Sequence, residues 1–238
     1  MLRRLLVFLC LIAVTAVGLQ SVLAGDQVAR SSEVTKTFTT RYLLSLPENY
    51  EQQEKWPLLL FLHGAGERGD DLEKVKQHGP PKLIAEGKQY PMIVVSPQCE
   101  ADKRWESWRL LALIDQLSAE LKVDQDRIYV TGLSMGGFGT WDLAAAAPDR
   151  IAAIVPICGG GETRSAKRIK DIPTWVFHGA LDQAVPIGAS VQMVLELRKE
   201  GGKPRFTFYQ DAEHDSWTEA YATPELDEWL LSQSLKVK

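Results

Sequence analysis

The chain has 238 residues, of which 45% are apolar and 24% charged, with a formal net charge of −4 and a pI near 5.7. That balance describes one or two ordinary globular domains with a sizeable core. It offers no electrostatic case for nucleic acid or anionic lipid as partner, and the chain carries no long charge run, internal repeat or low-complexity tract.

The first 24 residues read as a signal peptide. Met1 to Arg4 is basic, Leu5 to Leu19 is apolar, and Val22-Leu23-Ala24 places small residues before a cleavage point at Gly25. The apolar run contains Thr15 and Gly18 and falls short of the roughly 20 residues a spanning helix needs. The expectation is an exported protein, periplasmic or extracellular, without stable membrane association after cleavage. Residues 25–34 read as a linker and 35–238 as a single domain.

Along that domain, Val34 to Thr40 and Arg41 to Leu46 alternate as antiparallel edge strands should. Pro57 to Leu62 is a continuous apolar run, as in a strand covered on both faces, and it ends in His63-Gly64-Ala65-Gly66. Asp70 to Lys88 is polar, with a weak helical segment that Gly79-Pro80-Pro81 is expected to break. Met92 to Ser96 is a second buried strand. Leu110, Ile114, Leu117 and Leu121 recur at helical spacing within Trp108 to Lys122. Strands are then expected from Ile128 into the Gly132–Gly136 turn, at Ile151 to Ile157, at Thr174 to Phe177 and at Phe206 to Tyr209. Helices are expected from Thr140 to Ala147, around Ile187 to Leu197, and from Pro224 to Leu235. Alternating strands and helices predict an α/β fold: a mostly parallel central sheet with helices on both faces.

The chemistry centres on Gly132-Leu133-Ser134-Met135-Gly136, set between a strand and a helix. A serine at the tip of so tight a turn takes a strained backbone, and residues two before and two after it crowd one another, so both must lack a Cβ. The following helix points its unpaired N–H groups at the serine. A serine hydroxyl needs a base, itself oriented by a carboxylate. Of the four histidines only His178 and His214 follow Ser134. Asp182, on the loop after one strand, and His214, on the loop after the next, complete the order serine, acid, histidine at the carboxyl ends of the strands. Asp171, Asp211 and Asp215 are weaker candidates for the acid. The amides of Met135 and Ala65 are the expected oxyanion donors, and His63 and His178 are expected to be structural.

Taken together, His63-Gly64-Ala65-Gly66-Glu67-Arg68-Gly69, Ser96-Pro97-Gln98-Cys99, the Ser134 motif, Pro156-Ile157-Cys158-Gly159-Gly160, His178-Gly179 with Asp182, and His214-Asp215-Ser216-Trp217 resemble the phospholipase/carboxylesterase-like branch of the α/β-hydrolase superfamily. Bacterial members of that branch are described as predicted peptidases or dienelactone-hydrolase-like esterases. The resemblance covers residue 35 onward and implies the α/β-hydrolase fold and a serine hydrolase with no cofactor. It departs from true dienelactone hydrolases, whose nucleophile is a cysteine where this chain has Ser134.

The segments Glu67 to Lys88 and Gln98 to Trp108 should form the rim of the pocket, with Gln98, Trp105, Trp108 and Trp217 as substrate-facing candidates. They are rich in charge and contain no long apolar lid. This predicts a short-acyl, aryl or sugar ester as the small-molecule or carbohydrate partner. A serine peptidase or phospholipase on the same triad, and a silent binding protein that kept the fold, stay open. Cys99 and Cys158 should follow strands too far apart for a disulfide and remain free. No metal-ligand spacing occurs.

Overall fold

The computed structural model describes residues 37–237. The chain divides into two units, residues 1–38 and 39–238, and every element named below belongs to the second. The expected signal segment and linker lie outside the described residues.

Seven strands make one sheet: β1 (Tyr42–Ser45), β2 (Trp56–Leu62), β3 (Ile93–Pro97), β4 (Val123–Leu133), β5 (Ala153–Ile157), β6 (Trp175–Gly179) and β7 (Arg205–Tyr209). Their order in space is β1-β3-β2-β4-β5-β6-β7. β1 runs antiparallel to β3, and the other neighbours pair in parallel. Successive residues of β2 enter opposite cores. Leu58, Leu60 and Leu62 pack with α2 (Ser107–Glu120), α3 (Met135–Ala146), α4 (Ala166–Ile169) and α5 (Gly188–Lys199). Leu59 and Phe61 face α1 (Gly79–Ala85), α6 (Trp217–Tyr221) and α7 (Leu226–Leu231). Burial on both faces explains why β2 is apolar without alternation.

Three expectations change. Thr37–Thr40 forms no strand, and Arg41 to Leu46 shortens to β1. The pairing of Tyr42 with Pro97 already uses the last residue of β3, so earlier residues have no partner strand to join. Gly79-Pro80-Pro81 ends the 3₁₀ helix Leu72–Gln77 as expected, and it also starts α1, which was not expected. Proline in a first turn gives up an N–H that has no acceptor there anyway. The short helices α4 and α6 were not anticipated; five residues or fewer carry too little periodicity to register.

The chain leaves β2 outward to β3 and then returns past β2 to β4, so the sheet order reverses between β2 and β4. The carboxyl ends of β2 and β4 flank that reversal, the position at which ligands of open α/β sheets bind. The Ser134 turn sits there, at φ 52° and ψ −117°. A Cβ on Gly132 would stand 2.5 Å from the Gly136 carbonyl oxygen, the crowding anticipated from the motif. A Cβ on Gly136 would instead overlap the Leu62 carbonyl oxygen of β2. The turn is therefore wedged against the neighbouring strand as well as against itself. We expect Gly136→Ala to lower the urea midpoint by the equivalent of at least ~3 kcal/mol, among the largest single-residue effects. Gly66→Ala, with nothing within 4 Å of the added carbon, should leave the midpoint near its original value.

Candidate active site

Three loop systems converge on Ser134. The first follows β2. His63 is fully buried; its Nε2 accepts the Cys99 N–H at 2.9 Å, so its Nδ1–H donates to the Gly64 carbonyl at 2.6 Å. The Trp105 indole N–H donates to the His63 carbonyl at 3.1 Å, and the two rings meet edge to face at 4.8 Å. Gln98 donates to the Glu67 and Asp71 carbonyls at 2.8 and 2.7 Å. These bonds tie a 3₁₀ turn, Ala65–Glu67, to the end of β3. Ala65 is the first residue of that turn and Met135 the first of α3, so neither amide has an acceptor within its own helix.

The second system follows β6. Asp182 is buried, and its Oδ1 accepts the Ala184 and Val185 amides at 2.9 and 2.8 Å. It is thus held by its own loop and does not cap α5. His178 sits beneath, with Nε2 2.8 Å from the Val185 carbonyl and 3.3 Å from Asp182 Oδ2, and with Nδ1 2.7 Å from Ser190 Oγ. The third system follows β7. A Cβ on Gly179 would overlap the Glu213 and Ala212 carbonyls, so the bare glycine is what lets the acid and histidine loops touch. The Ala180 and Leu181 amides cross between them to Tyr209 and Ala212 at 2.8 and 3.0 Å.

The outcome is a connected chain. Asp182 Oδ2 lies 2.7 Å from His214 Nδ1, and His214 Nε2 lies 3.0 Å from Ser134 Oγ. With a carboxylate at Nδ1, that nitrogen carries the proton, and the lone pair at Nε2 is left to accept the serine O–H. Such an arrangement can move a proton from Ser134 to His214 and so generate an alkoxide-like nucleophile beside two unpaired amides.

The four rim candidates separate. The Trp217 ring stands against His214 at 5.3 Å, nearly perpendicular, and against His78 at 5.2 Å. Trp105 braces His63, and Gln98 is buried beneath the loop. Trp108 is 42% exposed at the start of α2, its indole N–H directed to Glu106 at 3.2 Å. Sequence reasoning missed His78, which tertiary packing brings to Trp217, and Cys158, whose sulfur accepts the Ser134 N–H at 3.2 Å. A cysteine followed by three glycines at a strand end was the available signal for the second. Cys99 and Cys158 are both free and buried, after strands separated by β2 and β4.

The sheet order and its crossovers are those of an α/β-hydrolase. The dienelactone hydrolase family profile matches residues 92–225, more than half of the chain. The chain therefore belongs to the dienelactone hydrolase family and is a hydrolase of carboxylic esters. A solved thermostable esterase superposes with a TM-score of 0.71 at 36% identity, covering 81% of this chain and 59% of its own. A probable feruloyl esterase C of Aspergillus terreus is 26% identical over 193 residues, 79% of this chain and 72% of that protein. A bifunctional acetylxylan esterase/xylanase of Neocallimastix patriciarum is 29% identical over 140 residues, 54% of this chain and 20% of that protein.

Burial gives the site a pH-dependent foundation. It pushes the pKa of His63 from 6.5 down to about 4, and it lowers that of His178 as well. Between these values the unfolded chain binds the proton that the folded chain refuses. The stability is fully present above pH 6.5 and is lost as pH falls toward 4, by about 3 kcal/mol for a shift of this size. Urea midpoints measured across that window should fall with pH, and His63→Gln should show a shallower fall than the parent.

Proposed function

We propose that the chain is an exported serine carboxylesterase acting on short-acyl, aryl or sugar esters through an acyl-enzyme. The observation that carries this reading is the unbroken contact series from Asp182 through His214 to Ser134, at 2.7 and 3.0 Å. In the first half-reaction the Ser134 O–H gives its proton to His214 Nε2 as Oγ attacks the ester carbonyl. Asp182 holds the imidazole in the correct tautomer and stabilises the imidazolium. The Ala65 and Met135 amides receive the oxyanion. Collapse breaks the bond to the alcohol, which leaves with the proton from His214. In the second half-reaction His214 takes a proton from water as its oxygen attacks the acyl carbon, and collapse breaks the bond to Ser134 Oγ, which leaves with that proton from His214 as the carboxylic acid is released.

Two features support the choice of substrate. Trp217 stands beside His214 with the partly exposed His78 against it, an aromatic wall suited to a ring. Relatives named feruloyl esterase and acetylxylan esterase point to aromatic and acetyl ester groups. The leader-like first 24 residues support export.

Ser134→Ala is expected to lower kcat/KM for p-nitrophenyl acetate by about 10⁴-fold or more, with the thermal midpoint retained. Near-normal turnover in that variant would overturn the nucleophile. A chain-length series of p-nitrophenyl esters, run beside methyl ferulate and acetylated xylan, tests the substrate. We expect kcat/KM to be greatest for acetyl to butyryl or for ferulate, and a steady climb toward long chains would contradict the reading.

A further inference from the structure

Cys158 follows β5 directly, and its amide donates to the Phe177 carbonyl of β6 at 2.9 Å. Its φ is +40°, a region that a β-carbon disfavours, yet the three residues after it are the glycines. A side chain is kept where glycine would be easiest. That side chain is fully buried, and it points into the machinery.

The sulfur accepts the Ser134 N–H at 3.2 Å, while the Ile157 carbonyl accepts the same N–H at 3.0 Å. Two consecutive residues at the end of β5 thus grip the peptide of the nucleophile. The Cys158 sulfur, an Asp182 carboxylate oxygen and a His214 ring nitrogen all lie within 4.8 Å of one another. Ser216, also fully buried, leaves its hydroxyl without a hydrogen-bond partner among the described residues. Burial and then the nearby Asp182 charge push the thiol up to about 12, with the Ser134 N–H opposing, so it is a neutral S–H. A neutral thiol with no solvent access is not a second nucleophile.

Resting on the serine-triad reading above, we propose that Cys158 is a positioning residue: its sulfur sets the height of the Ser134 backbone and fills the space behind the Asp182–His214 pair without drawing on the carboxylate. The choice of sulfur follows from what Asp182 already accepts. Its two oxygens receive the Ala184 and Val185 amides and His214, with His178 at 3.3 Å. A thiol is a weak donor and a soft, weak acceptor, so it packs there and adds little to that set. A hydroxyl at the same position would be a strong donor. Each strong donor that stabilises the carboxylate weakens its hold on the imidazolium and makes His214 a poorer base.

The test compares Cys158→Ser and Cys158→Ala with the parent enzyme, using p-nitrophenyl acetate well below each thermal midpoint. Both variants should lose about tenfold in kcat with KM within about twofold, because the loss is in alignment and not in binding. In Cys158→Ser alone, the acid limb of kcat/KM should move to lower pH. A purely structural role would lower the thermal midpoint while leaving kcat and the pH profile in place, and that result in both variants would overturn the proposal. An equal fall in both with no movement of the limb in Cys158→Ser would overturn the part assigned to the carboxylate. If a variant does not fold, the other carries the kcat comparison. Labelling of the parent enzyme by a fluorophosphonate separates the two readings: absence of label on Ser134 would mean that the triad itself is wrong, whatever the cysteine variants do.

Discussion

The structure depends on one close approach, that of the β4–α3 turn to the end of β2. Ser134 can hold a left-handed backbone only because its surroundings leave no alternative. Gly136 rests on the Leu62 carbonyl, Gly132 rests on Gly136, and the Ser134 N–H is drawn to the end of β5. Cost is concentrated in one residue, and the sheet on either side supplies the restraint. The same approach puts the first amide of α3 and the first amide of the Ala65–Glu67 turn at the carboxyl ends of two parallel strands.

Every other part of the site is built by loops that brace one another. The loop after β2 hangs from β3 through His63, Gln98 and Trp105, three side chains whose nitrogens bond to the backbone. The acid loop hangs from β6 through the amides that Asp182 collects, and Gly179 lets the histidine loop lie directly on it. Neutral buried histidines do much of this bracing. His214 differs from them: 29% of its side chain is exposed, under Trp217.

Much of this was legible in the sequence because it is local. The glycine spacing about Ser134 has one structural meaning between a strand and a helix, and the order of serine, aspartate and histidine follows from strands that end at one edge. The apolar run of β2 announced a strand covered on both faces. What was not legible depends on contacts distant in sequence. Gly79-Pro80-Pro81 can end a helix or begin one, and here it does both: the 3₁₀ helix Leu72–Gln77 stops before it and α1 starts on it. The strand expected before Tyr42 fails because β3 ends at Pro97. Trp105, Trp108 and Trp217 look alike as letters, yet one braces a histidine, one stands largely in solvent and one lies on His214. Cys158 reads in the sequence as a buried free thiol, but its contact with the Ser134 backbone joins residues 24 positions apart.

The central claim is that bond exchange takes place on the Ser134 oxygen. It is tested most directly by acid-quenching the enzyme during turnover of p-nitrophenyl acetate and mapping the acyl group by peptide mass spectrometry. The account predicts an acetyl group on the peptide that carries Ser134, and its disappearance when the substrate is exhausted. An acetyl group that turns over on Cys158, or turnover with none on Ser134, would contradict it.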